Sequence, residues 1–589
     1  MGYDKEKKEK IAEKKRLCNN VTNWFDILYV FIIVILVIHL AVLQLIDPRG
    51  YREKGIQSGH NFELRGDIYD RNGIKLATDR IYYNVMVRPV EYSEKETPVK
   101  IAKLFAPVLN ISKQSLEKKL SAYDKKNTKY IISVKKNIDR ETKEKLEEIV
   151  SKNNFRSISF DKKNVREYPQ GIFASHILGF YNFDANKSSG VEYSAKDKLE
   201  HIIKAADYQK TMDGTIIYKF STDPVAPTMN PKGLDITLTI DAAIQHVCEK
   251  ELFKMIKEKG ALRGAAIVIN PKNGEILAYA VYPTYDPNKF QKVPYSIMKN
   301  WTLTDVYPPG STFKIITVTS AMGLGKINEN SRVPDQGRIK FGSYTIENHD
   351  YAQRGAPGMI NLVYLFQHSS NVGSVNVGKM MSYKEFYSML KKFGFGEKSG
   401  IDLPGESSGL LAAPKYWDEG RRITMSYGYG TSVSIMQMVS AVSALANNGV
   451  RVTPHVIKYS PDEEEEKIKR VQAISPQTAQ TITKLLVQSI NNGNSILKSD
   501  KYNIAAKTGT SRKPLENGKG YSDKVYTSTI GYFPANDPQV LVYVVIDSAK
   551  GPAWGSTIAA PVFHEISEQV ARILDIKPDK VQSTAAKKN

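Results

Sequence analysis

Polar and apolar positions divide this chain into a lysine-rich start, one long apolar run and a large mixed remainder. Residues 27–46 read ILYVFIIVILVIHLAVLQLI, about 20 positions without a charge, enough to cross the hydrocarbon core of a bilayer. Lys5, Lys7, Lys8, Lys10, Lys14, Lys15 and Arg16 crowd the segment before it. That asymmetry predicts a cytoplasmic N-terminus, with everything after Asp47 outside. The run exceeds a signal-peptide core and no small-x-small cleavage site follows, so it reads as a single uncleaved anchor. His39 and Gln44 are costly in lipid: His39 suits a partner helix, and Gln44 suits either such a helix or the interface.

Beyond the anchor, helical spacing recurs at 112–122 and 142–151 between polar breaks. From Asp235 the pattern tightens. Residues 243–257 predict an amphipathic helix with Ile244, Val247, Leu252 and Met255 on or near one face. Strands are predicted at 264–270 and 275–282, joined through Pro271-Lys272-Asn273-Gly274, and again at 525–533 and 540–547. A last helix is predicted at 558–574, and the polar tail 576–589 is expected to be disordered. An antiparallel sheet with helices before, between and after it is an α+β layered domain.

At 589 residues the chain is too long for one ordinary domain. Its net charge of +21, from 83 basic and 62 acidic residues, comes with no nucleic-acid motif and no cluster of arginine with aromatics. The charge fits a solvated Lys-rich surface, or attraction to anionic headgroups or wall polymers. Of the two cysteines, Cys18 precedes the apolar run and Cys248 follows it, so a membrane would part them and no disulfide joins them. Cys248 lies in an amphipathic pattern and reads as a small buried hydrophobe.

The chemistry begins at Pro308-Pro309-Gly310-Ser311-Thr312-Phe313-Lys314. Pro and Gly end the preceding segment, and a helix is predicted to start here, setting Ser311 and Lys314 on one face at i and i+3. A serine hydroxyl is a poor nucleophile until a neighbour takes its proton, and a desolvated lysine can do so. Ser369-Ser370-Asn371 follows about 60 residues later, and Lys507-Thr508-Gly509-Thr510 about 140 beyond that. Ser-x-x-Lys, Ser-x-Asn and Lys-Thr-Gly in this order resemble the signature of the penicillin-binding proteins.

Further segments narrow the resemblance. Arg65-Gly66-Asp67-Ile68-Tyr69-Asp70-Arg71-Asn72-Gly73, predicted as a strand broken by an Asn-Gly turn, looks like the opening motif of class B members. Arg166-Glu167-Tyr168-Pro169 with His176-Ile177-Leu178-Gly179-Phe180, then Gly190-Val191-Glu192-Tyr193, resemble their other non-catalytic motifs. The resemblance implies a basic tail (1–23), a transmembrane helix (24–46), a non-catalytic pedestal (47–230), a transpeptidase domain (235–575) and a polar tail (576–589). It implies a five-stranded sheet covering an all-helical insert. Ile401-Asp402-Leu403-Pro404-Gly405-Glu406 and Ala559-Ala560-Pro561-Val562-Phe563 look most like the division-specific, septal members, with elongation-specific relatives the alternative.

By this resemblance Ser311 attacks the carbonyl of a D-alanyl-D-alanine stem peptide and Lys314 takes its proton. Ser369 relays that proton to the leaving amine, and Asn371 holds both Lys314 and the substrate amide. Lys507 draws the terminal carboxylate, with hydrogen bonds from Thr508 and Thr510, and Gly509 lets the peptide lie against the strand. The backbone N–H groups of Ser311 and Thr510 form the oxyanion hole. No cofactor or metal is implied. Implied partners are stem peptides, β-lactams as inhibitors, a polytopic glycosyltransferase of the shape-elongation-division-sporulation type, divisome scaffold subunits and the membrane. A carboxypeptidase shares every motif, and a vestigial sensor or scaffold is a further alternative. Tyr427-Gly428-Tyr429-Gly430-Thr431-Ser432 reads as packing and loop geometry rather than chemistry, and His349, His368 and His564 as structural histidines. Trp554 reads as either a cleft wall or packing. Gly555-Ser556 stands where many relatives carry Gly-Gly.

Overall fold

The computed structural model describes residues 32–36, 64–122, 130–183, 185–200, 208–210, 216–218, 232–342, 344–493, 495–515 and 520–580. Apart from 32–36, which are helical and exposed, the expected anchor lies outside the described residues, as do Cys18, His39 and Gln44. Among the described residues no helix is long and apolar enough to cross a membrane. Leu64–His201 and Lys232–Asn589 form one compact unit. Met1–Glu63 and Ile202–Pro231 form another, of which the antiparallel pair Tyr208–Lys210 and Ile216–Tyr218 is described.

The first part of the larger unit starts with β1 (Ile68–Tyr69) and β2 (Lys75–Val87). The Asp70 carboxylate makes the turn between them by accepting from the Asn72 and Ile74 amides at 2.8 and 2.7 Å. Then come α1 (Pro98–Leu109), α2 (Lys113–Ser121), β3 (Ile132–Ile138), α3 (Arg140–Asn153) and β4 (Ile158–Glu167). β3 and β4 both pair with β2, and Val85, Phe105, Leu116, Leu120 and Leu146 fill a core of their own.

Three segments that look like separate motifs converge on one buried charge network here. Arg65 and Arg166, both buried, share Glu192 through Nε contacts of 3.2 and 2.6 Å. Arg65 N–H and Arg166 Nη1 donate to the two Asp79 carboxylate oxygens at 2.6 and 2.9 Å. Tyr168 donates to Glu192 at 3.2 Å, and Arg65 reaches Glu200 and stacks 3.9 Å over Tyr181. Buried ions persist only when paired with opposite charges and hydrogen bonds, as these are, although Arg166 Nη2 is left without a partner.

The opening motif also grips the chain between Ile236 and Ala242. β1 pairs in parallel with β5 (Ile236–Thr237), and Arg71 N–H reaches Ile240 O at 2.9 Å. Asp70 accepts from Ala242 N–H at 3.1 Å, the first residue of α4 (Ala242–Lys259), while Asn72 donates to its N-cap Asp241 at 3.0 Å.

The second part is built on β6 (Arg263–Ile269), β7 (Ile276–Tyr282), α5 (Lys314–Gly323), β8 (Arg332–Asp335), β9 (Gly358–Asn361), α6 (Asn371–Lys379), α7 (Ile435–Ala446), α8 (Pro476–Asn491), β10 (Ala505–Pro514), β11 (Tyr521–Phe533), β12 (Val540–Asp547) and α9 (Ala559–Ile573). Five strands form one antiparallel sheet in the order β7-β6-β12-β11-β10. Both faces are buried, which explains the unbroken apolar run of β12. Val540, Val542, Val544 and Ile546 meet α4 and α9, Cys248 among them. Leu541, Tyr543 and Val545 meet the helical body containing α5, α7 and α8.

Two expectations need correction. The insert is not all-helical: β8 pairs with β9, Arg338–Phe341 with Tyr344–Glu347, and Val450–Val452 with Arg470–Gln472. These ladders of three or four residues are too short to carry a readable alternation. The tail is not wholly loose either. Ile576 is buried with its carbonyl on Tyr502 OH at 2.7 Å, Asp579 accepts from Asn503 N–H at 2.7 Å, and Lys580 donates to Ser499 O at 2.6 Å. One buried apolar residue and the hydrogen bonds of Asp579 and Lys580 dock a segment whose composition reads as polar.

Candidate active site

Ser311 lies in a tight 3-10 turn, Gly310–Phe313, that runs into α5 at Lys314. The turn is tighter than the α-helical start expected for it. In a 3-10 turn positions i and i+3 eclipse, so Ser311 and Lys314 stand directly one above the other. Gly310 takes φ +58°, and its N–H is held by Gly428 O at 3.0 Å. Thr312 and Phe313 are fully buried beneath, while Ser311 stays half-buried at the surface of the cleft.

Lys314 is fully buried. Its amine contacts Ser369 O, Ser369 Oγ at 3.1 Å and Asn371 Oδ1 at 2.7 Å. Burial holds it well below the ordinary lysine range; the Lys507 charge adds to this, and Asp335 and Asp350 oppose it. A neutral amine keeps a lone pair, so it can accept a proton and the Ser369 hydroxyl can donate to it. Ser369 sits at φ +50°, uncommon for a serine. Asn371 spends one amide hydrogen on Glu347 O at 2.8 Å and has one left.

The Lys-Thr-Gly segment lies on β10, the edge strand of the sheet. Lys507 is buried, donates to Thr508 O at 3.0 Å, and is lowered by burial to about 8. Strand parity fixes which amides face the cleft. Arg512 N–H leaves the sheet to reach Tyr429 OH at 3.0 Å. Thr510 and Thr508, two and four positions back, therefore turn their N–H and C=O groups the same way. Thr510 Oγ1 accepts from Gly555 N–H at 2.9 Å.

Gly509 also has a packing reason to lack a side chain. A Cβ there would lie 2.7 Å from Ser528 Oγ and 2.9 Å from Thr312 Cγ2. The missing side chain lets the 310–313 turn close against the strand. Gly555 does the same from the other side, its Cβ position 2.3 Å from Gly509 O, while Ser556 is exposed.

Hydrogen bonds join Lys314 to Ser369 and Asn371, the Lys507 charge faces Lys314, and Gly509, between Thr508 and Thr510 on β10, packs against Thr312, the neighbour of Ser311. The Tyr427–Ser432 segment sets loop geometry, as expected: Gly428 O holds the Gly310 N–H of the 310–313 turn, and Tyr429 OH accepts from Arg512 N–H at the strand edge. Trp554 is 49% exposed, its ring 6.2 Å from that of exposed His349, so it stands as a wall. His368 lies 3.8 Å from Asp350 and against Tyr364. Sequence reading missed Asp335, Asn348 and Ser370, which brace the Ser-Ser-Asn turn from behind. Ser370 was visible inside its motif; the other two had no local signal.

Comparison with known proteins agrees with this geometry. The penicillin binding protein transpeptidase domain matches residues 264–568, and the penicillin-binding protein dimerisation domain matches residues 63–205. The chain is 32% identical to stage V sporulation protein D of Bacillus subtilis (strain 168), over 88% of this chain and 79% of that one. It is 27% identical to the peptidoglycan D,D-transpeptidase FtsI of Escherichia coli (strain K12), over 92% and 89%. Among solved structures, penicillin binding protein 2X from Streptococcus thermophilus superposes with a TM-score of 0.70 at 25% identity, covering 87% of this chain and 80% of that one.

Proposed function

Because the chain belongs to the class B penicillin-binding proteins, peptidoglycan D,D-transpeptidases by type, we propose that it cross-links stem peptides through an acyl-enzyme on Ser311, during septal wall synthesis at cell division. The observation that carries the chemistry is the buried Lys314 amine, held by Ser369 and Asn371 and depressed by burial. A neutral Lys314 takes the Ser311 proton as Oγ attacks the scissile carbonyl. The resulting oxyanion falls between the Ser311 and Thr510 N–H groups, each such donor being worth about 3 kcal/mol of barrier. Lys314, through Ser369, returns the proton to the departing D-alanine. The acyl group then passes to an amine of a neighbouring stem.

Lys507 and Thr508 anchor the terminal carboxylate in this scheme, so the stem preceding the scissile bond runs past Thr510 toward Arg512. In the cell the chain is a single-pass membrane protein through 24–46 with its catalytic part outside. It pairs there with a polytopic glycosyltransferase and divisome scaffold subunits, and it is acylated by β-lactams. The segments Ile401–Glu406 and Ala559–Phe563, which look most like those of division-specific members, support the septal assignment over elongation.

The test is product analysis with a D-Ala-D-Ala stem pentapeptide, with and without an amine acceptor. Cross-linked product with release of D-alanine is expected. Hydrolysis alone, unchanged by acceptor, would assign a carboxypeptidase. Depletion in the native cell should block division while elongation continues; rounding or loss of shape instead would assign the elongation role.

A further inference from the structure

Asp335 ends β8 directly behind the Ser-Ser-Asn turn and is fully buried. Its carboxylate accepts from Gly337 N–H at 2.8 Å, from Asn348 Nδ2 at 2.9 and 3.0 Å, and from Ser370 Oγ at 2.6 Å. Each partner passes the constraint on. Asn348 Oδ1 accepts from the Asn371 and Val372 amides at 2.8 and 3.1 Å. Ser370 Oγ accepts from Gly373 N–H at 2.8 Å, capping α6. One carboxylate thus ties β8, the Asn348 turn and the 369–371 turn, and the last of these supplies every acceptor around the Lys314 amine.

Two features of the turn call for such a brace. Ser369 is held at φ +50°, a backbone that a serine keeps only when its surroundings over-determine it. Asn371 must aim Oδ1 at Lys314 while its own N–H is taken from behind by Asn348. The charges facing Lys314 are Lys507 from β10, Asp335 from β8 and Asp350 from the turn beside His349.

We propose that Asp335 is a positioning residue for acylation: through Ser370 and Asn348 it holds Ser369 and Asn371 on Lys314, and it is the negative charge that faces this amine from β8. The proposal rests on Lys314 being the base for Ser311.

The test is the second-order rate constant for acylation of the full chain by benzylpenicillin across pH, for wild type, Asp335→Asn and Ser370→Ala, each checked by thermal melt. Acylation needs neutral Lys314, so the rate falls as pH drops through its pKa. Removing a nearby negative charge lowers that pKa and moves the acid limb to lower pH, by about half a unit or more. An amide cannot accept from all three donors, so the D335N plateau should fall by about 100-fold. S370A keeps the charge and loses one strut, so its plateau should fall by about 10-fold with the acid limb unmoved.

A folded D335N with the wild-type plateau, or with an unmoved acid limb, overturns the proposal. S370A with a wild-type plateau overturns it whether or not D335N folds. Absence of acylation in the wild type would instead overturn the active-site reading, and the proposal with it.

Discussion

Lys314 and Lys507 both place an amine-bearing chain in the interior, and the roles proposed for them require opposite protonation states. Lys314 must be neutral to accept a proton, whereas Lys507 must be charged to draw a carboxylate. Burial lowers Lys507 to about 8, so its charged fraction falls as pH rises through that value. In kcat/KM for a carboxylate-bearing substrate or β-lactam, which reports the free enzyme, an alkaline limb near pH 8 is expected. Lys507→Arg keeps a permanent charge, and the variant should lose that limb while retaining activity. An alkaline limb unmoved by K507R would assign it to another group. The eight residues proposed for the site were legible because their types and order carry the chemistry. Asp335 and Asn348 were not, because an Asp in a Pro-Asp-Gln-Gly turn reads as turn chemistry until folding brings Ser370, 35 positions away, within 2.6 Å.

At the scale of elements, the site is a tight turn pressed onto a strand edge, and glycine is what permits the fit. Gly509→Ala would push its new methyl into Thr312 and Ser528. Overpacking of that kind costs about 1–3 kcal/mol, and displacement of the nucleophile turn should lower the acylation rate by about 100-fold. Thermal melts with acylation kinetics check both, and a G509A protein with wild-type kinetics would contradict the packing. Helix limits were legible where side chains cap them: Asp241 accepts from Ala243 and Ile244 N–H at 2.9 and 3.2 Å, so α4 begins one residue before its predicted start. Strands β6 and β12 were legible because long apolar runs mark strands buried on both faces. The ladders of the insert were hidden by their length, and the docked 576–580 segment by its polarity.

At the scale of the molecule, the charge network around Glu192 binds the opening motif to two later ones, while the turn of that opening motif holds α4. Each motif was visible as a segment; their meeting at one carboxylate, across sequence separations of 127 and 26, was not. Glu192→Ala leaves Arg65 and Arg166 with one fewer buried counter-charge and should cost about 3–5 kcal/mol. A lowered Tm is expected, with acylation of the folded protein unchanged because the network lies outside the cleft; an unchanged Tm would contradict this reading. Acylation on Ser311 is the step from which the rest of the proposed chemistry follows. Intact-mass spectrometry of the full chain after benzylpenicillin, beside Ser311→Ala, tests it most directly. One stable penicillin adduct on the wild type and none on S311A is the predicted result. A folded wild type without adduct, or an adduct that survives in S311A, would contradict it.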